Sequence, residues 1–174
     1  MHSRQLQQEP VGQNSESLTR VLGTVGEAMT ASVVTVEAST DCQTTARDLE
    51  RRGVSGAPVI RDGRVVGVIT LRDLAARAGI APALASGPFL RFEGRLRDVT
   101  VDEVMSRPPM LVSSDWPLVR AVEVMERSGV NRLSVVDDTG RPVGILARDD
   151  VIRAMARRYR GQEEETPRPR MGPD

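Results

Sequence analysis

The sequence has few of the residues that enzymes most often use as nucleophiles and bases. Lysine is absent, all 24 basic residues are arginine, and His2 and Cys42 are the only histidine and cysteine. With its one histidine in a polar first segment, the sequence excludes Ser-His-Asp and Cys-His catalysis, Schiff-base chemistry, the phosphate-loop lysine and histidine metal sites. A single cysteine excludes an internal disulfide and a cysteine metal cluster. Only carboxylates and arginines remain for catalysis.

Aromatic residues and long apolar runs are also scarce. Two Phe, one Trp and one Tyr are too few for a base-stacking platform, and 24 acidic residues balance the arginines. No run approaches the ~20 apolar residues of a membrane span, and the first 22 residues are too polar for a signal peptide. We therefore expect a cytoplasmic protein with no nucleic-acid or membrane partner, whose 39% of apolar residues suffices for one core.

The most informative feature present is an internal repeat. The segment 24–30 recurs as 100–106, a step of 76 residues, and Gly53 has its counterpart in Gly129. After a one-residue insertion at Thr139 the match resumes and pairs Asp73 with Asp150. Two copies of one supersecondary unit in a short chain typically pack face to face, because neither can bury its apolar face alone. A cleft between the copies is the natural place for function.

Each copy predicts the order strand, helix, strand, hairpin, strand, helix. Thr40 and Gln43 have the spacing of a capping box at the start of the first helix, and Asp62-Gly63 favours a type I′ turn. The predicted strands are 33–36, 57–60 and 65–70 in the first copy and 110–112, 133–137 and 142–146 in the second. Four helices are predicted: one that ends at residue 52, one over 71–78, one over about 117–128, and one that begins at residue 148. The fold class is therefore α/β (α+β), with two β-α-β-β-α motifs packed as a pseudo-twofold pair.

Composition divides the chain into five segments. Polar, Pro-rich and charge-run ends predict disorder over 1–22 and 158–174, because such segments bury too little apolar surface to offset the entropy of ordering. The repeats occupy 23–78 and 98–157, and a Gly- and Pro-containing connector covers 79–97. Cys42 aligns with Leu118 on the apolar stripe of its helix, which favours a small buried hydrophobe over a reactive thiol.

One candidate site follows the third strand of each copy, where Gly-apolar-apolar leads into a helix. The unpaired N–H groups at a helix start favour an anion such as phosphate, and Thr70 adds a hydroxyl donor. Asp73 can accept hydrogen bonds from two adjacent ribose hydroxyls, and Arg72 can bind the phosphate. Alternatively, Thr70 and Asp73 only cap the helix. The spacing does not decide between the two interpretations.

Taken together, these motifs resemble the CBS domain family, named for cystathionine β-synthase, in its tandem-pair form. The resemblance covers about residues 24–156. It rests on Met29-Thr30 and Met105-Ser106, on the Gly-Val that ends the first long helix, on the 57–60 and 133–137 strands, and on the Gly-apolar-apolar-Thr-x-x-Asp ending. The resemblance implies a non-catalytic regulatory module that requires no cofactor and binds AMP, ADP, ATP or S-adenosylmethionine in the cleft between repeats.

By the same resemblance, the ribose-binding Asp corresponds to Asp73 and Asp150, and the phosphate-binding hydroxyl to Thr70. Contacts around the base correspond to Val33, Val34, Val54, Gly56, Ala57 and Pro58, with Val130, Arg132 and Leu133 in the second copy. Two departures weaken the second site: Ala147 replaces the hydroxyl residue and Ser134 replaces a proline. Arg132 and Arg148 offset part of that loss if they bind phosphate. For Trp116, a hydrophobic staple before Pro117 is favoured over adenine stacking.

Three functions compete at this stage. The first is a sensor that binds an adenosine-containing ligand and signals through a dimer or an effector protein. The second is a CBS scaffold that has lost its ligand and acts through protein contacts, and the third is a carboxylate-dependent enzyme, which the missing nucleophiles disfavour. The resemblance also implies a homodimer built through the helices, and the following residues supply apolar faces at helical spacing: Leu71, Leu74, Ala75, Ala78, Val151, Ile152 and Met155.

Overall fold

The structure is a computed structural model and describes residues 22–78, 96 and 98–165. The predicted disordered start at 1–22, except for Leu22, lies outside the described residues. Apart from Leu96, so does the predicted connector at 79–97. No helix in the described part of the chain has a stretch apolar enough to span a membrane.

Within the residues that the structure describes, each half of the chain has three strands and three helices of at least four residues. The first half comprises α1 (Val25–Ala28), β1 (Val36–Glu37), α2 (Cys42–Arg51), β2 (Gly56–Arg61), β3 (Arg64–Thr70) and α3 (Leu71–Arg77). The second half comprises α4 (Val101–Val104), β4 (Leu111–Ser113), α5 (Leu118–Ser128), β5 (Arg132–Val136), β6 (Pro142–Ala147) and α6 (Arg148–Glu165). The sequence analysis did not predict the one-turn helices α1 and α4.

Two three-stranded sheets of identical topology confirm the predicted fold class. In the first sheet β2 is central, with β1 parallel and β3 antiparallel to it, and β5 has the same place between β4 and β6. A register shift interrupts both hairpins at equivalent positions, between Val59 and Ile60 and between Val135 and Val136. The repeated sequence therefore produces a repeated structure down to its irregularities.

The two hairpin turns differ as the insertion at Thr139 requires. Asp62 and Gly63 have φ angles of 52° and 73°, the two positive values that a type I′ turn needs. In the second hairpin the carboxylate of Asp137 accepts bonds from the backbone N–H groups of Thr139 and Arg141, both at 2.9 Å. An Asp side chain thus organises the longer turn in the manner of an Asx turn.

The start of α2 and the strand before it differ from the prediction. The N-cap of α2 is Asp41, whose carboxylate accepts from the backbone N–H of Thr44 at 2.8 Å, so the predicted capping box of Thr40 and Gln43 is wrong. Asp is an equally good N-cap one residue later. The first strand is limited to Val36–Glu37, the two residues that pair with β2. Val33 and Val34 precede it as irregular backbone.

The two halves exchange their opening helices. Val25 and Ala28 of α1 are buried in the core of the second half, and Val101 of α4 is buried in the core of the first. Backbone bonds fix this arrangement: the N–H of Val25 donates to Trp116 at 2.9 Å, and that of Val101 donates to Thr40 at 2.9 Å. Each core is therefore completed by a segment that belongs, in sequence, to the other repeat.

A glycine in each hairpin allows this exchange. A Cβ atom on Gly67 would lie 2.4 Å from the Met105 sulfur, and one on Gly144 would lie 2.4 Å from that of Met29. The backbone beyond each methionine pairs with the same strand, as in the mutual bonds between Val68 and Ser106 at 3.2 and 2.9 Å. The Gly and Met positions of the repeated motifs therefore form one contact, made twice across the pseudo-twofold axis.

Cys42 and Trp116 have the structural roles that were favoured. Cys42 is fully buried in the first core, and burial raises the pKa of its thiol to about 11, which makes a reactive thiolate unfavourable. Trp116 is buried in the second core, as is Ala121 one turn into α5, and the guanidinium of Arg120 lies 4.2 Å from the Trp116 ring centre. This is the packing expected of a hydrophobic staple.

Helix α6 is longer than predicted. It continues to Glu165, through the first eight residues of the segment 158–174 that was expected to be disordered. Six of these eight residues are arginine, glutamine or glutamate, which are good helix formers and extend a helix already nucleated by packing despite Gly161. Residues 166–174 of that segment lie outside the described residues.

Candidate functional site

Thr70 and Asp73 form a capping box at the start of α3. The backbone N–H and the hydroxyl of Thr70 both donate to Oδ2 of Asp73, at 2.9 and 2.6 Å, and the N–H of Asp73 donates to Thr70 Oγ1 at 3.2 Å. The capping interpretation is therefore correct. It does not exclude the ligand interpretation, because these bonds use only one of the two carboxylate oxygens. The pair is half-buried, so Oδ1 lies within reach of further donors.

The start of β2 lies beside this capping box. Gly56 pairs with Thr70 across the hairpin, and the N–H of Leu71 donates to the carbonyl of Ser55 at 3.0 Å. A Cβ atom on Gly56 would lie 2.8 Å from the carbonyl oxygen of Ile69. Only glycine allows the two strands to approach this closely, so the backbone of 55–57 and the side chain of Thr70 form one small surface.

The other first-half residues that were predicted to contact the base are either buried or half-buried. Ala57 is 1% exposed and belongs to the first core, so that only its backbone is available to a ligand. Val34 and Val54 are half-buried along the edge of the same core, and Val33 is also half-buried. Pro58 is buried. The structure thus brings Val54, Gly56, Ala57 and Thr70 together.

The second half repeats this geometry with different chemistry. The backbone N–H of Ala147 donates to Oδ2 of Asp150 at 2.8 Å, and the Arg153 guanidinium forms an ion pair with Oδ1. Both carboxylate oxygens are therefore engaged, and Asp150 is only 5% exposed. Ala147 supplies no hydroxyl. Leu133 is buried in the second core, so its side chain is not open to a ligand, whereas Val130 is half-buried against that core.

Arg132 extends from the second half to the first. It is the first residue of β5 and pairs with Ala147, yet its Nη2 donates to the hydroxyl of Ser55 at 2.5 Å. Arg72 and Arg148 lie at the starts of α3 and α6, with exposed side chains. The sequence analysis did not single out Ser55, although it lies between Val54 and Gly56, and no local pattern indicates a partner 77 residues away.

Ser134 is the other residue whose role the sequence did not indicate. It lies on β5 between Leu133 and Val135, which face the second core, so its side chain points to the opposite face of the sheet. On that face Val65, Leu111 and Val136 form a small cluster between the two sheets. Ser134 is 2% exposed, and within the described residues its hydroxyl has no hydrogen-bond partner.

Other features of the described residues do not add a catalytic site. Hydrogen bonds lower the pKa values of the Asp41, Glu103 and Asp137 carboxyls, but these groups cap helices or organise a turn. In 22–78, 96 and 98–165 no group of His, Cys, Asp and Glu is placed to hold a metal ion. A cavity of about 200 Å³ contains no predicted site residue; it is lined by Leu22, Glu27, Ala28, Ala154, Arg157 and Arg158.

Comparison with known proteins identifies the family. The sequence matches the CBS domain family twice, over residues 25–78 and 101–157, which is more than half of the chain. The chain belongs to the CBS domain family. Its fold is that of a CBS pair: CBSX2 from Arabidopsis thaliana is 29% identical with a TM-score of 0.67, the match covering 79% of this chain and 96% of that one.

A second structure of CBSX2 and two further relatives extend the comparison. A structure of CBSX2 in complex with AMP is 30% identical with a TM-score of 0.63, covering 77% of this chain and 96% of that one. A CBS domain-containing protein of Dictyostelium discoideum is 30% identical over 74% of this chain and 88% of its own length. Similar sequences also occur inside enzymes. A Thermoplasma acidophilum inosine-5'-monophosphate dehydrogenase is 25% identical over 69% of this chain, and the match covers 21% of that protein.

Another relative is much longer than the match. An uncharacterized protein of Methanocaldococcus jannaschii is 28% identical over 78% of this chain, and the match spans 40% of that protein. The CBS domain pair of protein MJ0100, in complex with 5-methylthioadenosine and S-adenosyl-L-methionine, is 24% identical with a TM-score of 0.60. At that identity the likeness shows a shared fold.

Proposed function

We propose that the protein is a non-catalytic regulatory module of the cytoplasm. It binds an adenosine-containing ligand (AMP, ADP, ATP or S-adenosylmethionine) between its two CBS motifs and signals to an effector protein. The observation that carries this proposal is the carboxylate of Asp73, of which the capping bonds use one oxygen, beside the Thr70 hydroxyl and the start of β2. The AMP complex of a relative with 30% identity supports the choice of ligand class.

Each group of the site has a stated task in this proposal. Oδ1 of Asp73 accepts from the ribose hydroxyls while Oδ2 keeps the helix cap. The Thr70 hydroxyl, which now donates to Asp73, rotates to donate to a phosphate oxygen instead. Because the Asp73 carboxylate and the phosphate are both charged acceptors, this exchange replaces one charge-assisted hydrogen bond with another. The missing Cβ at Gly56 lets β2 approach β3 closely, so that the start of β2 lies beside Thr70.

The two halves of the cleft are unequal in the proposal. In the second half Ala147 has lost the hydroxyl donor, and the Arg153 ion pair occupies the carboxylate oxygen that a ribose would need. Losing a donor to a charged phosphate costs about 1.5 to 3 kcal/mol, or roughly 10- to 150-fold in affinity. We expect about one nucleotide per chain at moderate concentration.

Calorimetry and thermal shift with AMP, ADP, ATP and S-adenosylmethionine test the proposal. A ligand at 100 times its dissociation constant should stabilise the fold by ~2.7 kcal/mol. Asp73→Ala should lose most binding, Asp150→Ala should lose less, and Ala147→Thr should strengthen a second site. Asp41→Ala is the matched control, because it removes a helix N-cap outside the site. Two equal sites, or binding unaffected by Asp73→Ala, would contradict the asymmetry.

The scaffold is the second candidate, and an exposed apolar pair on α6 favours it. Ile152 and Met155 are 62% and 48% exposed and lie one turn apart. Other residues expected on a dimer surface are not available, because four of them are buried in the cores: Leu74, Ala75, Ala78 and Val151. We keep the homodimer as a proposal with Leu71, Ile152 and Met155 as its apolar face.

Light scattering at tens of micromolar tests the dimer. A homodimer should have twice the mass of the 19.0 kDa chain, and Ile152→Glu with Met155→Glu should convert it to a monomer without lowering its thermal stability. A monomer for the unchanged protein would refute the dimer. Failure of all the adenosine compounds to bind, together with a dimer, would favour the scaffold over the sensor.

A further inference from the structure

Helix α6 places an arginine on the carboxylate of the second half of the cleft. Arg153 lies one turn after Asp150, and its guanidinium forms an ion pair with Oδ1 of that residue. The side chain of Asp150 is 6% exposed and that of Arg153 is 61% exposed, so the buried partner is reached through the accessible one. The bond that caps the helix uses the other oxygen, because Oδ2 accepts from the backbone N–H of Ala147.

The first half carries an alanine at the equivalent position. The spacing that pairs Asp73 with Asp150 pairs Ala76 with Arg153. Both acids accept on Oδ2 from the backbone N–H of the residue three positions before them, at 2.9 Å for Asp73 and 2.8 Å for Asp150. The start of the helix is therefore built in the same way with and without the arginine. The ion pair is an addition of the second half that the cap does not require.

A second carboxylate lies at a helical spacing that suits the same guanidinium. Asp149 precedes Arg153 by four residues, is exposed, and forms no ion pair within the part of the chain that the structure describes. An acid and a base four residues apart, with the acid first, attract each other on a helix surface. The first half has Arg72 and Ala76 at these two positions. Arg153 thus has two acidic neighbours on its own helix, one buried and paired, the other exposed.

We propose that Arg153 is a gate on the second site: it closes the ribose position at Asp150 and moves to Asp149 when a ligand enters. This inference rests on the proposed adenosine-binding function and adds a regulation of its second site. With Arg153 in place Asp150 is 5% exposed, so a ribose meets Oδ1 only after the guanidinium has moved. The second site is latent, and its apparent affinity is reduced by the fraction of time that the gate is closed.

Adenosine is the probe that isolates this contact. It has the ribose hydroxyls but no phosphate and no charge, so the hydroxyl that Ala147 lacks plays no part in its binding. Calorimetry compares Asp73→Ala, in which the first site is disabled, with the double variant that also carries Arg153→Ala. The double variant should bind adenosine about 5- to 20-fold more tightly, a range between the effect of an exposed ion pair and that of a hydrogen bond to a charged group.

Two further measurements separate a gate from a general effect on the fold. 2',3'-Dideoxyadenosine lacks the ribose hydroxyls, so its binding should not respond to Arg153→Ala. Raising the salt concentration should strengthen adenosine binding to Asp73→Ala, because salt screens the ion pair of an exposed guanidinium, and should have no such effect once Arg153 is replaced.

The opposite effect is expected from the exposed acid. In the Asp73→Ala protein, Asp149→Asn should weaken adenosine binding about 2-fold, because the displaced guanidinium loses the attraction of its second neighbour. The same substitution should have no effect when Arg153→Ala is also present, since the two residues act through one contact.

Arg51→Ala is the matched control, because Arg51 forms an ion pair with Asp48 at the same spacing of three residues on α2, outside the site. It should leave adenosine binding unchanged. If Asp73→Ala does not fold, the number of adenosine molecules bound per chain is compared between the unchanged protein and Arg153→Ala, and should rise from about one toward two. Adenosine binding at the first site with no gain in Arg153→Ala overturns the gate and leaves the proposed function standing. If no adenosine compound binds to the unchanged protein, the proposed function fails and the gate fails with it.

Discussion

Replacing Gly67 by alanine tests how the two halves are joined. The added Cβ atom would lie 2.4 Å from Sδ and 2.9 Å from Cγ of Met105, and 3.0 Å from the backbone oxygen of Ser106. Met105 is 7% exposed, so its side chain has little room to move. Ser106 and Val68 exchange two backbone hydrogen bonds, so the backbone cannot retreat without lengthening them.

Two opposing effects set the change in free energy of unfolding that Gly67→Ala causes. Overpacking of this kind costs about 1 to 3 kcal/mol, and the smaller conformational freedom of alanine in the unfolded chain returns about 0.4 to 1 kcal/mol. The two ranges leave a net loss of about 0 to 2.6 kcal/mol in the free energy of unfolding, and we expect Gly67→Ala to lose about 1 to 2 kcal/mol because two of the new contacts are shorter than 3.0 Å. For a domain of this size that corresponds to a fall in Tm of roughly 2 to 8 °C.

A double-mutant cycle makes the assay specific. Urea unfolding is measured for Gly67→Ala, for Met105→Ala and for the double variant. Shortening the methionine costs stability by itself but removes both of its close contacts with the new methyl group, so the double variant should be at least 1 kcal/mol more stable than additivity predicts. Gly144→Ala with Met29→Ala should behave in the same way. Additive effects, or an unchanged Tm in Gly67→Ala, would show that the exchanged segments do not pack as described.

Three further predictions concern single buried or capping groups. Ser134→Ala should raise the free energy of unfolding by about 1 kcal/mol, because it removes a buried hydroxyl that has no partner among the described residues; a loss measured by urea unfolding would contradict this. Burial raises the pKa of the Cys42 thiol from 9.0 to about 11. The contribution of Cys42 to the free energy of unfolding should therefore be complete below pH 9 and be lost as the pH rises toward 11. Cys42→Ala should lack this pH dependence. Asp41→Ala should cost about 1 kcal/mol at pH 7 by removing the cap on Thr44. Hydrogen bonds from the side chain and the backbone N–H of Thr44 hold the pKa of Asp41 below 3.8. The difference in free energy of unfolding from the unchanged protein should therefore shrink as the pH falls through the lowered value; a constant difference would argue against the cap.

Local chemistry made much of this fold predictable. The Asp62-Gly63 dipeptide specifies its turn through two positive φ angles, and the stripe that includes Leu118 specifies the buried face of α5. The helix and strand order followed from such signals because each depends on residues a few positions apart. The candidate site at Thr70 and Asp73 was visible for the same reason, since a capping box joins residues only three positions apart.

The duplication determined that two equal motifs would meet, but only the tertiary structure decided which segment completes which core. Sequence divides the chain into consecutive repeats, whereas packing places α1 in the second core and α4 in the first. The bond from Arg132 to Ser55 joins residues 77 positions apart. Arg153 forms an ion pair with the second carboxylate oxygen of Asp150, whereas the capping bonds of Asp73 use only one of its two oxygens. Contacts of this kind depend on which faces meet in space, and no local pattern encodes that choice.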